Sequence, residues 1–179
     1  MFKTSFSMPW GGMLLRNQRG SAIIEFAIIA APFIALLLAI MQTTLTMFTQ
    51  QVLETTAEKS GRSIRTGSAQ TNGTSQSTFK TQLCATLPSY MPCDNVMFDI
   101  RIANSLEDVD SKAISLTYDN AANVTNMWSY QLGGPGDIVI MRVMYQMPVI
   151  MGPLGFDLAN MKNGRRLLVA TSVFKNETY

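Results

Sequence analysis

The side chains that most often carry catalysis are scarce in this chain. Its 179 residues contain no histidine, which excludes Ser-His-Asp and Cys-His nucleophile pairs and His-ligated zinc. A hydrolase with a Ser-Lys pair is the enzymatic alternative, but the candidate lysines stand in polar or turn-like segments: Lys80, Lys112, Lys162 and Lys175. We therefore expect a protein that is not an enzyme and that holds no metal or other cofactor.

The composition is that of a folded chain with little net charge. Apolar residues make up 47% of the sequence and charged residues 15%, which is not a disordered composition. Fourteen Lys and Arg against twelve Asp and Glu leave a formal net charge of +2. These charges are spread thinly rather than gathered in a patch, so nucleic acid is not an expected partner.

The longest uncharged stretch covers residues 26–53, and its first sixteen positions, FAIIAAPFIALLLAIM, have no polar side chain. As a helix the whole stretch would reach about 42 Å, which exceeds the ~30 Å of membrane hydrocarbon. Lys3, Arg16 and Arg19 precede it, with no acidic residue before Glu25. This bias predicts one membrane span with a cytoplasmic N-terminus and an extracytoplasmic C-terminal part.

A cleaved secretory signal peptide is the alternative with the same basic start and apolar middle. Such a peptide needs small residues directly after the apolar run, whereas Met41 is followed by QTTLTMFTQQ. Pro32 lies inside the run and should free the carbonyl of Ile28 and kink the helix, a defect that membrane helices tolerate. We therefore expect a membrane helix that remains part of the protein.

Glu25 is an anomalous carboxylate at the start of the apolar run, and on its own it could simply lie among lipid headgroups. Its context, a basic leader, Gly20, four neutral residues and then Glu25-Phe26, resembles the processing site of type IV prepilins and pseudopilins. The resemblance implies that an aspartyl membrane peptidase cuts after Gly20, so that Ser21 becomes the first residue and Glu25 the fifth. A carboxylate in a low dielectric needs a counter-charge, and the new α-amino group on Ser21 of a neighbouring subunit is available. Such pairing would fix the axial register of each incoming subunit.

Beyond the membrane the helix should continue to about Arg65. Apolar residues recur there at helical spacing: Leu45, Phe48 and Val52. The small polar residues 67–76 indicate a linker or loop. A short second helix is predicted from Ser77 or Thr78 to the proline at position 88, and its apolar positions are Phe79, Leu83 and Leu87.

Cys84 and Cys93 are the only two cysteines of the chain. A disulfide is the natural pairing in an exported domain, since a C-x-x-C redox pair and a metal site fail on spacing and on missing ligands. Closing this short loop should stabilise the domain by roughly 2 to 3 kcal/mol.

The C-terminal part changes to the two-residue period of strands with one buried face. Four segments show it: VMFDIRIA from Val96, AISLTY with Ile114, Leu116 and Tyr118, DIVIMRVMYQM from Asp137, and LLVATSVF from Leu167. The methionines of the third segment fit core positions better than a metal site. The predicted fold is therefore α+β and pilin-like, with the long N-terminal helix packed against an antiparallel sheet of about four strands. The predicted organisation is a leader at 1–20, the long helix at 21–66, a linker at 67–76 and a disulfide-containing domain at 77–179.

Further features narrow the resemblance to the TadE-like minor pilins of Flp, or Tad, pili. The run GSAIIEFAIIAAPFIALLLAI is similar to the opening of that family, including the proline soon after the glutamate. Paired cysteines, a Gly-rich turn before a strand and an end like VFKNE are also common in it, and Cys84, Cys93, Gly136 and residues 173–177 fit. Thr178 stands where the family would have proline.

The resemblance implies a non-catalytic inner-membrane pseudopilin that acts in assembly, in priming or at the tip of a thin adhesive pilus. A globular domain on the helix would obstruct tight packing along a shaft, which favours a minor position. The partners implied are the prepilin peptidase, another minor pilin, the major pilin and the inner-membrane assembly platform. The alternative is a membrane-anchored periplasmic binding or sensor module that keeps its leader.

Overall fold

A computed structural model of the chain describes residues 21–105, 114–149 and 155–178. The helices are α1 (Ser21–Arg65), α2 (Ser68–Thr71) and α3 (Gln76–Ala85), followed by a 3₁₀ turn at Cys93–Asn95. The strands are β1 (Val96–Ala103), β2 (Ile138–Pro148) and β3 (Arg165–Lys175). The predicted α+β fold, a long N-terminal helix on a small antiparallel sheet, is confirmed.

Helix α1 is 45 residues long and continues through Pro32. Four threonine hydroxyls near the middle of α1 are hydrogen-bonded within the helix, which reduces the cost of placing them in an apolar environment. Each donates to the carbonyl one turn earlier at 2.8 to 2.9 Å: Thr43, Thr44, Thr46 and Thr49. Arg62 and Arg65 occupy its last turn, where cations suit the negative end of the helix dipole. Gly67 then adopts a left-handed conformation with φ of 74°, which breaks the helix at low cost.

The sheet has the order β1-β2-β3 with both pairs antiparallel. Ile100 pairs with Met141, which pairs in turn with Ser172, so these three side chains share one face. That face packs against α1 and α3 and forms the core. Its fully buried large side chains include Leu53, Ile64, Phe79, Leu83, Ile100, Met141, Val143 and Tyr145.

The prediction of a fourth strand at AISLTY is wrong. Within this segment Tyr118 forms a single bridge, with Val124. The side chain of Asn126 takes the backbone bonds that a neighbouring strand would have used, accepting from Thr117 N at 2.8 Å and donating to Ser115 O at 2.7 Å. Residues 129–131 instead run along the edge of β1, where Ile100 N donates to Ser129 O and Ile100 O accepts from Gln131 N.

The expectation of one buried face per strand also fails for β2. Met144 and Ile140 point away from α1, yet Met144 is fully buried and Ile140 nearly so. Residues 114–128 of the connection between β1 and β2 lie on this side of the sheet, where Ile114, Asn126 and Trp128 line a cleft together with Arg142 of β2. An apolar run on both sides of a strand is typical of a central strand buried on both faces, and the methionines of β2 are core residues, as predicted.

Helix α3 begins one residue earlier than predicted, because its N-cap is Ser75. The hydroxyl of Ser75 accepts a hydrogen bond from Thr78 N at 3.1 Å. Phe79 and Leu83 are buried against the sheet as the spacing predicted. The stretch predicted as a linker contains the four-residue helix α2.

Candidate functional site

The N-terminal half of α1 is covered with exposed apolar side chains. Phe26 is 73% exposed and Met41 68%, whereas Leu53 further along the same helix is completely buried. Among the residues that the structure describes, one helix, Ala22–Arg65, is long and apolar enough to cross a membrane. A surface of this kind needs a non-aqueous environment or other subunits to cover it.

Three of the four predicted processing and assembly residues, Ser21, Glu25 and Phe26, lie at the start of this helix. Gly20 falls outside the described residues, and Ser21 is the first residue of α1. Glu25 is four positions later, on the same face of the helix one turn along. Its neighbour Phe26 projects from the helix surface. A carboxylate and a cleaved chain end would therefore lie on one side of the helix.

Pro32 adds a second polar feature to the apolar segment. Proline has no N–H group, so the carbonyl of Ile28 lacks its usual intrahelical donor. A free carbonyl in an apolar environment favours close packing against a neighbouring helix or an adjustment of the local turn.

The comparison with protein families matches residues 20–62 to the model described as TadE-like protein. This segment is TadE-like. The match spans Gly20, Ser21, Glu25 and almost all of α1, and it confirms the resemblance inferred from the opening of the sequence. The TadE-like match is consistent with a pilin of the Tad, or Flp, system. Neither the comparison with curated proteins nor that with solved structures gives a match.

The TadE-like helix is joined to the domain through its second half. Gln50 Nε2 donates to Val169 O of β3 at 3.0 Å. A methyl group at Gly61 would lie 3.0 Å from Cε1 of Phe174 and 3.4 Å from Cε of Met141, so the helix passes close to the sheet there. The exposed half and the half that packs against the domain are thus parts of one continuous helix.

The C-terminal tail and the Gly-rich turn meet at the end of α1. Glu177 N donates to Arg65 O at 2.8 Å, and Arg65 Nε lies 3.4 Å from Glu177 Oε1. Asn176 is buried, and its Nδ2 donates to Leu132 O at 2.9 Å and Gly134 O at 3.1 Å. Gln70 Nε2 donates to the same turn at Leu132 O, at 3.0 Å. The sequence marked the turn and tail as family-like, but no pattern in it indicated that Gln70 and Asn176 bring them together.

Asn176→Ala should destabilise the domain by about 1 to 3 kcal/mol, because the two hydrogen bonds that its buried amide donates, to Leu132 O and Gly134 O, are lost. Urea unfolding in detergent measures this change. Asn72→Ala is the matched control, because the Asn72 amide is exposed and donates a long hydrogen bond, 3.4 Å, to Ser68 Oγ. Equal midpoints for the two variants would contradict the role of Asn176.

Cys84 of α3 and Cys93 of the 3₁₀ turn form a disulfide with a Cα–Cα distance of 5.6 Å. The loop that it closes carries Tyr90, whose ring stacks on Phe48 of α1 at a centroid distance of 6.3 Å. The disulfide therefore fixes a loop that touches the helix near its apolar half.

Removal of the disulfide by the double replacement Cys84→Ser, Cys93→Ser is expected to cost roughly 2 to 3 kcal/mol of unfolding free energy, because the unfolded chain regains loop freedom. Thermal unfolding of oxidised and reduced protein measures the cost. Reduction should lower the midpoint of the parent protein and leave that of the double variant unchanged. A parent midpoint insensitive to reduction would contradict the prediction.

An open cleft of about 490 Å³ lies beside the start of α3 and is lined by Ser77, Lys80, Asp94, Trp128 and Gln146 among others. Ser77 and Lys80 have the S-x-x-K spacing of some serine hydrolases, which the polar contexts of the lysines did not indicate. Ser77 Oγ is hydrogen-bonded to Ser75 Oγ at 2.9 Å. Within the described residues no hydrogen bond joins Ser77 Oγ to Lys80, so the two do not form the nucleophile–base pair that such chemistry needs.

Proposed function

We propose that this protein is a membrane-anchored minor pilin of a Tad pilus, that it acts in assembly, priming or tip formation, and that it is not an enzyme. The observation that carries the proposal is the division of α1: an exposed apolar half inside the TadE-like match, continuous with a half that is buried in a folded domain. That design suits a subunit that is held in a membrane and then packs by its helix against other subunits.

The sequence around the start of α1 supplies the chemistry of maturation. Cleavage after Gly20 by a prepilin peptidase would create an α-amino group on Ser21 and place Glu25 one helical turn away. The Glu25 carboxylate would pair with the Ser21 amino group of an adjacent subunit. In a low dielectric, each charge makes burial of the other less costly.

The basic leader supports an orientation with the N-terminus in the cytoplasm and the domain in the periplasm. A disulfide is stable in that oxidising compartment. Assembly would then carry the domain outward, and a position at the pilus tip would leave it extracellular.

The domain itself supports a minor role. The sheet and α3 pack against the second half of α1. The residues of α1 that face them include Leu53, Gly61 and Ile64. Closely packed helices of a pilus shaft would leave no space for the domain at every subunit. The proposed partners are therefore a second minor pilin, the major pilin and the inner-membrane platform that assembles them.

The test is a deletion of the gene in cells that make the pilus, with pili counted by electron microscopy. Loss of most surface pili, restored by the intact chain but not by the domain without α1, is the expected result. An unchanged pilus count, together with a chain that keeps its leader, would favour the membrane-anchored binding or sensor module instead.

A further inference from the structure

Five exposed or half-buried side chains, Phe48, Tyr90, Lys162, Arg165 and Arg166, lie at the end of the domain that faces the apolar half of α1. We call this set the basal surface. The rings of Phe48 and Tyr90 are 56% and 47% exposed although they stack on each other. They combine an apolar body with, in Tyr90, a polar tip, as side chains at membrane interfaces do.

The direction of β3 places its basic residues at this end. β3 runs alongside α1 in the same sense, because Gln50 contacts Val169 and, further along both elements, Gly61 lies against Phe174. Arg165 and Arg166 begin β3, so they lie toward the N-terminal half of α1. Lys162 belongs to the connection that enters β3 at that end.

Contacts between the elements hold the basal surface together. Arg165 Nη1 donates to Asn95 Oδ1 next to the disulfide loop, and Arg166 Nη1 donates to Leu158 O at 3.0 Å. Burial raises the pKa of the nearby Tyr145 hydroxyl, whereas a hydrogen bond with Asn95 and the charge of Arg165 act in the opposite direction. The two arginine side chains are thus held in place by contacts with neighbouring segments.

The length of α1 sets this surface at the level of the lipid headgroups. Twenty helical residues from Phe26 span the hydrocarbon and end at Leu45. Phe48 is about 4.5 Å further along, inside a headgroup layer that is roughly 5 to 8 Å thick on each side. Asp157 is exposed next to the basal surface and Asp94 lies in the cleft beside Lys80, so among the residues that the structure describes the three cations outnumber these two acidic groups.

We infer that the basal surface docks on the anionic headgroups of the membrane leaflet from which α1 emerges, with Phe48 and Tyr90 at the interface and Lys162, Arg165 and Arg166 over the phosphates. This inference rests on the proposed membrane anchoring. The docking holds the domain at a fixed tilt above the membrane until the subunit is extracted into a pilus. Each cation near an anionic surface raises the ratio of docked to undocked domain about fivefold.

The experiment places the photo-crosslinking residue benzoylphenylalanine at position 90 of the full chain. The protein is reconstituted in phosphatidylcholine vesicles with or without about 30% phosphatidylglycerol, which makes the surface strongly anionic. Mass spectrometry after irradiation identifies lipid adducts. The control position is 175, because Lys175 is exposed at the opposite end of β3, about 33 Å along the strand from Arg165. Lipid adducts at position 90, increased by phosphatidylglycerol, and none at position 175 are expected.

The charge of the surface is tested in the same vesicles. Lys162→Gln should lower the adduct yield at position 90 up to fivefold, toward the yield in phosphatidylcholine alone. Lys175→Gln removes the same charge from the far end and should leave the yield unchanged. Lys162 is exposed and its contact is with the Tyr118 ring, 5.2 Å from the centroid, so the variant should fold.

Insertion is scored separately by extraction at alkaline pH, which releases proteins that are not embedded. Release of the chain would overturn the proposed membrane anchor. Three results for an embedded chain would overturn the docking and leave the proposed function standing. They are no lipid adducts at position 90, equal adduct yields in both kinds of vesicle, and cross-links to protein alone.

Discussion

Glu25→Ala is expected to insert into the membrane and to be processed, but to fail to join a pilus. The carboxylate is four residues from Ser21 and stands among exposed apolar side chains. On assembly it would be buried against the Ser21 amino group of an adjacent subunit. Removing one member of a buried ion pair costs about 3 to 5 kcal/mol, which lowers the association constant by about two to nearly four orders of magnitude.

Cross-linking in intact cells, followed by detection of complexes with other pilins, measures this loss. Glu25→Gln should fail as well, because it keeps the size of the side chain and removes the charge. Glu58→Ala is the matched control, since it removes an exposed carboxylate from the domain half of the same helix. Normal assembly of Glu25→Ala would show that the proposed charge pairing is wrong.

Leu53→Ala should have the largest effect on stability, about 2 to 5 kcal/mol, because it opens a cavity in the contact between α1 and the sheet. Leu53 has no exposed surface and belongs to the same cluster as Ile64, Phe79 and Met141. The variant is expected to loosen the domain from a helix that remains in the membrane. Limited proteolysis in detergent would then release the domain faster.

Leu45→Ala is the control for this substitution. It makes the same change on the same helix, but Leu45 is 50% exposed outside the core. Its unfolding midpoint and proteolysis rate should match those of the parent protein. Similar behaviour of the two variants would contradict the separation of α1 into an exposed half and a packed half.

Local patterns were sufficient for α1, α3 and the three strands of the sheet. The uncharged run predicted the exposed half of α1, the spacing of Phe79 and Leu83 predicted the buried face of α3, and alternation predicted β1, β2 and β3. These signals come from residues close together in the sequence. The TadE-like opening is equally local, because the glycine, the glutamate and the apolar run that define it are consecutive along the chain.

The errors and omissions involve residues that are distant in the sequence. AISLTY alternates like a strand, but Asn126 takes its backbone partners and residues 129–131 occupy the edge of β1. Gln70 and Asn176 are more than one hundred positions apart and meet on the turn at Leu132. The basal surface likewise combines α1, the disulfide loop and the start of β3. No local pattern could have indicated these pairings, because they depend on how the elements are packed.

The mature N-terminus is the most direct test of the central claim that this chain is a processed pilin. Intact-mass measurement of protein from cells with an active prepilin peptidase should show a chain that begins at Ser21, and cells without the peptidase should yield one that begins at Met1. Replacing Gly20 with a bulky residue, Gly20→Leu, should give the longer form in both strains. A chain that begins at Met1 in peptidase-positive cells would contradict the account.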